Sequence, residues 1–409
     1  MKLSDIVEIG RSQKAALNEQ DSGLERTLLP ELPDIKSHAL VVSGIRRSGK
    51  STLLRQFVKK LGRDYYYLNF DDLRLTDFSN ADFTLLDKAI AESGVRLLFF
   101  DEIQSAEHWE LCVRQKLDEG FQVVITGSNA SLLSRELGTR LTGRHISKEL
   151  FPFSYKEFCA FTGQEAGAGS LESYLERGGF PEYLKTGNND ILTQLQSDII
   201  YRDIAVRYGL RDAASLRRLF VYLISNPAQK VSPSRLRQIA GVKSPTTVLE
   251  YISYFEAAYL INLLPCFAWS VKARSLAPKK VYIVDSGIIR TGSVSFSGNK
   301  GALLENLVYN CLRTNTPDIF YYSGNNEAEC DFIVRPHEKP QCVQVCWELT
   351  QDNQDREING LLEAIDFFDQ KEGTILTFDN EDIIMTADKK ISVVPVWKRA
   401  SNEENYRKL

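Results

Sequence analysis

The stretch from Val41 to Thr52, VVSGIRRSGKST, runs an apolar strand into a glycine loop that closes on a lysine and a serine. It fits the pattern G-x-x-x-x-G-K-S/T, with Gly44, Gly49, Lys50 and Ser51 in the fixed places. Glycines let the backbone curl until successive N–H groups point at phosphate oxygens, the lysine reaches the β- and γ-phosphates, and the serine hydroxyl ligates magnesium. The flanks agree: HALVVSG reads as a buried strand, and STLLRQFVKKLG as an amphipathic helix ending at Gly62. A chain built this way must place a parallel sheet behind the loop, so the expectation is an α/β fold with a nucleotide cradle at Gly44, Ile45, Arg46, Arg47, Ser48, Gly49, Lys50, Ser51 and Thr52.

A second element follows about fifty residues on. In VRLLFFDEIQ, four apolar residues between Arg96 and Asp101 read as a central parallel strand, at whose C-terminal end ligands of open α/β sheets bind. There Asp101 can hold hydrated magnesium, and Glu102 can orient and deprotonate an attacking water. A third strand, FQVVITGSN, ends in Ser128 and Asn129. Either could meet a γ-phosphate or serve only as a strand-to-helix cap. Arg140 and Arg144, in LGTRLTGRHISKEL, are candidates for an arginine finger. Lys50, Glu102 and one of these arginines make the expected catalytic set.

At 409 residues the chain exceeds one hydrophobic core and predicts roughly two to four domains at ~100–200 residues each. Its polar, mixed-charge start and the lack of an apolar run of about 18 residues predict neither secretion nor a membrane span. Seven scattered cysteines, with no second pair or histidine cluster beside Cys342 and Cys346, read as reduced cytoplasmic thiols rather than a zinc site. The net charge of -4 hides a split: from Arg202 to Lys280 there are 13 Lys and Arg against four Asp and Glu, a local balance of +9. That segment calls for an anionic partner or for an acidic neighbour domain.

The order of GIRRSGKST, LLFFDEIQ, ITGSN, TGRHISKELFPFSYKEF and GGFPEYL resembles a prokaryotic branch of the AAA+ ATPases. The resemblance implies ATP as the nucleotide, a helical lid after the core, and Arg144 rather than Arg140 as the finger. It also implies a homo-oligomer in which one subunit's arginine enters its neighbour's site. The corresponding division is a lead segment at 1–36, a P-loop core at 37–150, the lid at 151–201, and further domains at 202–290 and 291–409.

The basic middle reads helix, glycine turn, then a second helix capped by Ser244 with Pro245 at its first position. Two apolar runs around a basic loop follow, and together this resembles a winged helix. In the DNA-binding form Lys243, Ser244, Thr246 and Thr247 would enter the major groove while Arg235, Arg237, Lys272 and Arg274 meet phosphates. The bland form is a packing module. From Gly301 onward, the helix with Glu305, the hairpin ending at Asp331 and the strand QCVQVCWEL resemble PD-(D/E)XK nucleases. The E-x-K place, however, reads Gln344-Val345-Cys346, lacking both carboxylate and ammonium. The sequence therefore points to an ATP-driven switch coupled to DNA through its C-terminal half. An ATP-regulated metal-dependent nuclease and a signalling ATPase whose C-terminus binds only protein are the rival readings.

Overall fold

The computed structural model describes residues 1–130, 143–293, 299–324, 328–386 and 388–401. The chain divides into two compact units, Met1–Phe151 with Ala257–Tyr259, and Pro152–Glu256 with Leu260–Leu409.

In the first unit five strands, β1 (Ala39–Ser43), β2 (Tyr66–Asn69), β3 (Leu97–Asp101), β4 (Gln122–Gly127) and β5 (His145–Glu149), form one sheet in the order β2-β3-β4-β1-β5. Every pairing is parallel. Strand side chains alternate between two apolar layers, as the two-residue period requires. Val41, Leu68, Leu98, Phe100 and Ile125 face helices α1 (Leu3–Glu19), α3 (Phe83–Ser93) and α4 (Trp109–Asp118). Leu40, Val42, Tyr67, Phe99 and Val124 face α2 (Lys50–Leu61) together with Leu29, Leu32 and Ile35. Both faces are thus covered, which is why β1 and β3 are buried at every position. Helix α2 stops where the sequence says it should: Gly62 takes φ 61° and its N–H donates to the Val58 carbonyl.

The second unit opens with helices α5 (Tyr155–Thr162), α6 (Ala168–Arg177), α7 (Pro181–Thr186) and α8 (Asp190–Asp198), the last running on into a π-helical stretch at Ile199–Val206. Next come α9 (Ala213–Ser225), β6 (Lys230–Val231), α10 (Pro233–Ala240) and α11 (Pro245–Ala257). Strands β7 (Ile261–Leu264) and β8 (Lys279–Ile283) pair antiparallel and, with β6, give a sheet ordered β6-β8-β7. The loop expected between them contains a short helix, α12 (Val271–Leu276). After α13 (Ser286–Gly292) and α14 (Lys300–Asn315), strands β9 (Ile319–Ser323), β10 (Glu329–Val334) and β11 (Gln341–Val345) form an antiparallel meander. Helix α15 (Gln354–Phe367) then crosses to β12 (Glu372–Thr377), parallel to β11. Strands β13 (Asp382–Thr386) and β14 (Lys389–Pro395), which the sequence reading did not include, extend the sheet to six in the order β13-β14-β12-β11-β10-β9.

The GGFPEYL stretch has a local cause in this unit. Asp285 is buried and accepts from the N–H groups of Gly179 at 2.6 Å and Gly287 at 2.8 Å. Gly178 has φ 71°, and a Cβ there would lie 2.1 Å from an Asp285 carboxylate oxygen, so only glycine fits. Burial pushes the Asp285 carboxyl up from 3.8 to about 6, against the pull of the three backbone N–H bonds it accepts. Between those values the folded protein keeps a proton that the unfolded chain has released. The contribution is therefore fully present below pH 3.8 and lost as pH rises through about 6, about 3 kcal/mol in all. Asp285→Asn should flatten this part of the stability profile, measured by urea unfolding across that pH range.

Candidate functional site

The loop, the acidic pair and the third strand's end meet at the C-terminal edge of the first unit's sheet. Gly44 leaves β1 with φ 154°, and a Cβ there would sit 2.1 Å from the Leu150 carbonyl oxygen, which fixes glycine at the loop's first turn. Gly49 has φ 96° just before α2 begins at Lys50. The twelve-residue α2 therefore aims its N-terminus, with its unsatisfied N–H groups, into the loop. Ser48 Oγ is buried with no hydrogen-bond partner among the described residues. A curled loop, a helix N-terminus and an orphaned buried hydroxyl together suit a bound anion.

Lys50, buried, donates to the Gly44 and Ile45 carbonyls at 3.1 and 3.2 Å and lies 3.4 Å from Glu102. Ser51 Oγ donates to Asp101 at 2.7 Å. Asp101 is the hub of this edge, accepting also from the Tyr67 hydroxyl at 2.8 Å and from the Thr126 hydroxyl. Burial, and then the neighbouring Glu102 charge, raise the Asp101 carboxyl above its ordinary range despite these bonds. Glu102 moves the other way. Burial opposes its charge, but Lys50 and hydrogen bonds from Gln104 and Ser128 outweigh it and hold the carboxylate ionised. It takes a left-handed backbone, φ 48°, which turns its side chain off the end of β3 toward Lys50. Such a conformation in a non-glycine residue costs on the order of 1–3 kcal/mol and persists where the surroundings enforce it. Here the enforcement includes the Glu102 N–H donating to Thr126 Oγ1 at 3.0 Å.

Lys50, Ser51, Asp101 and Glu102 therefore converge as the sequence reading expects, and Asn129 is buried just beyond the end of β4. Arg46 pairs with Asp71 at 3.3 Å. Arg144 stands apart from this group. Arg144 precedes β5, its carbonyl accepts from Ala39 N–H at the start of β1, and its guanidinium pairs with Asp118 at 2.7 Å. That places it at the opposite edge of the sheet from Lys50, a full strand length from its own loop, so it cannot serve the site of its own chain. Arg140 lies outside the described residues. Four contributors escaped the sequence reading: Tyr67, Thr126, Gln104 and Arg26. Arg26 is buried, and its guanidinium donates to the Ser48 carbonyl at 2.7 Å and the Phe151 carbonyl at 2.8 Å, bracing the loop from the lead segment. In the sequence it is one arginine in the lead segment, with no motif around it.

The basic middle divides in the structure. Lys243, Thr246 and Lys272 are exposed, and Ser244 caps α11 by accepting from the Thr246 N–H at 3.1 Å. Arg237 donates to the Lys243 carbonyl at 3.3 Å. Arg274 donates to the Ala268 carbonyl at 3.2 Å and lies over the Phe320 ring. Arg235 lines a cavity of about 720 Å³ together with Lys230, Lys280 and Glu305. Lys230 and Lys280 are paired with carboxylates beyond residue 300, so part of the +9 balance is neutralised inside the fold. Asp331 and Gln344 are buried on neighbouring strands, Gln344 bonding the Asp331 N–H at 3.2 Å and Glu357 at 2.7 Å. Cys346 is buried and carries no ammonium to the site. Among the described residues no helix is long and apolar enough to cross a membrane.

Comparison with known proteins agrees with the loop's setting. A family model described as an AAA domain matches residues 36–159, and one described as a domain of unknown function (DUF8612) matches residues 168–295. The uncharacterized protein MJ1544 of Methanocaldococcus jannaschii is 34% identical over 399 residues, covering 90% of this chain and 89% of its own length. An uncharacterized protein of Haemophilus influenzae is 31% identical over 335 residues, covering 76% of this chain and 83% of its own. Among solved structures, AMPPCP-bound DnaA from Aquifex aeolicus matches 61% of this chain and 88% of its own at 18% identity with a TM-score of 0.28, a likeness that carries no argument.

Arg26→Ala removes two charge-assisted bonds to carbonyls and leaves those acceptors buried. It should lower the unfolding free energy by about 3 kcal/mol and weaken nucleotide binding by about tenfold. Denaturant unfolding and a fluorescent-nucleotide titration check the two effects.

Proposed function

We propose, from the premise that the chain belongs to the family of MJ1544 and carries an AAA-type P-loop core at residues 36–159, that it is an ATP-hydrolysing molecular switch. The observation that carries this reading is the convergence of Lys50, Ser51, Asp101 and Glu102 on one sheet edge. The loop from Gly44 to Thr52 would hold the phosphates. Ser51 and Asp101, already in contact, would hold magnesium between them. When bound, ATP supplies the phosphoanhydride whose cleavage resets the switch, with magnesium neutralising its charge. Lys50, which keeps Glu102 ionised, can serve an anion at the same time, and Gln104, donating to Glu102, would steer that base toward a water proton. Arg144, at the far edge, would act only on the site of a neighbouring subunit in a homo-oligomer.

For the second unit we read α9 to β8 as a winged helix and α14 to β12 as a nuclease-like domain kept for binding, with DNA as the partner. The element order and the exposed Lys243, Thr246 and Lys272 support this. Gln344 and Cys346 at the E-x-K place argue against an active nuclease.

Lys50→Ala should weaken nucleotide binding, because the phosphate charge loses its partner, whereas Glu102→Gln should keep binding and stop turnover. Parent-rate hydrolysis by Glu102→Gln, in a phosphate-release assay, would show the base to be elsewhere. Reversing Lys243 and Lys272 to Glu should lower DNA affinity and make its salt dependence shallower by up to ~0.9 for each phosphate no longer neutralised. An unchanged affinity and slope in a fluorescence-anisotropy titration would favour the adaptor that binds only protein.

A further inference from the structure

Lys280 lies on β8, and its side chain is buried among acidic groups from two other elements. Its Nζ is 2.9 Å from Glu305 of α14, 2.7 Å from Glu329 of β10 and 2.9 Å from Asp331 of the same strand. An ammonium has three N–H donors, and these three carboxylates use all of them. The remaining oxygens are largely committed. Asp331 Oδ2 accepts from the Val345 N–H at 3.0 Å and Glu329 Oε2 pairs with Lys230 at 2.5 Å, while Glu305 Oε1, already bonded to Lys280, accepts a second bond from Tyr282 at 2.7 Å. The cluster forms the floor of the cavity that Arg235 and Arg356 also line. Placed as they are around Lys280, these three carboxylates are not disposed to hold a metal ion, and neither is any other group of His, Cys, Asp or Glu among the described residues.

We propose that the Lys280 ammonium is the permanent cation of this carboxylate site, standing where a divalent ion would otherwise be held, so that the domain neither takes up nor needs magnesium there. Three carboxylates brought together in a buried place require positive charge, and a lysine from a neighbouring strand supplies it without an exchangeable ion. The oxygens stand 2.7–2.9 Å from the nitrogen, the spacing of charge-assisted hydrogen bonds, whereas magnesium takes oxygens at about 2.0–2.1 Å. Lys230, which pairs with Glu329, adds a second cation to the same cluster. The proposal is independent of the reading of the first unit as an ATPase.

Manganese is the probe, titrated calorimetrically into the full chain without nucleotide. Wild type and Asp331→Asn should take up the same amount, since no metal sits on the cluster. Lys280→Ala should take up one further equivalent, with a dissociation constant below about 1 mM, and Lys280→Ala/Asp331→Asn should lose it again. If Lys280→Ala does not fold alone, manganese should restore its circular dichroism signal, as ammonium and metal are held to be interchangeable. Loss of a manganese equivalent from wild type on Asp331→Asn would overturn the proposal, as would Lys280→Ala that gains none or stays unfolded with the ion.

Discussion

The first unit depends on one buried carboxylate. Asp101 ends the strand that lies between β2 and β4, and it takes hydrogen bonds from Tyr67 on β2, Thr126 on β4 and Ser51 on α2. A buried charge costs too much to leave unmatched, so each of these hydroxyls is held in place by the same term that holds Asp101. The loop, the sheet and the helix behind the loop are thereby registered to one another at one carboxylate. Glu102, next in the chain, inherits its strained backbone from this anchoring.

Local patterns made the core legible. A buried apolar strand, a glycine loop and an amphipathic helix are each contiguous in sequence, and α2 with its Gly62 stop follows directly from them. The parallel sheet follows from strands too apolar to face water on either side. What escaped were the contributions from distant segments that no motif marks. Nothing near Tyr67 or Thr126 marks them as partners of Asp101. Arg26 reaches the loop only because the lead segment folds back beneath α2. Arg144 stands near its motif in sequence, yet strand direction sends it to the edge away from its own loop.

The same limit explains the basic middle. Counting charge along the chain treats residues as if their neighbours in sequence were their neighbours in space. Lys230 and Lys280 were counted as surplus, while the carboxylates that face them come from β10 and α14. Arg274 places its charge over an aromatic ring and Arg237 on a backbone carbonyl. Exposed lysines such as Lys243 and Lys272 carry what remains of the outward-facing field. A segment's net charge thus bounds its surface potential from above.

The strand order of the first sheet bears on how the protein is made. Because β4 lies between β1 and β3, the loop after β1 and the acid at the end of β3 have no shared neighbour until residues 122–127 have been synthesised. A growing chain that has emerged only through β3 holds both halves of the cradle without the strand that joins them. During translation the ribosome therefore exposes more than a hundred residues before this unit can close, a window in which apolar β1 and β3 are open to other chains. Any anion that needs both the loop and Asp101 therefore meets its full site only after that closure.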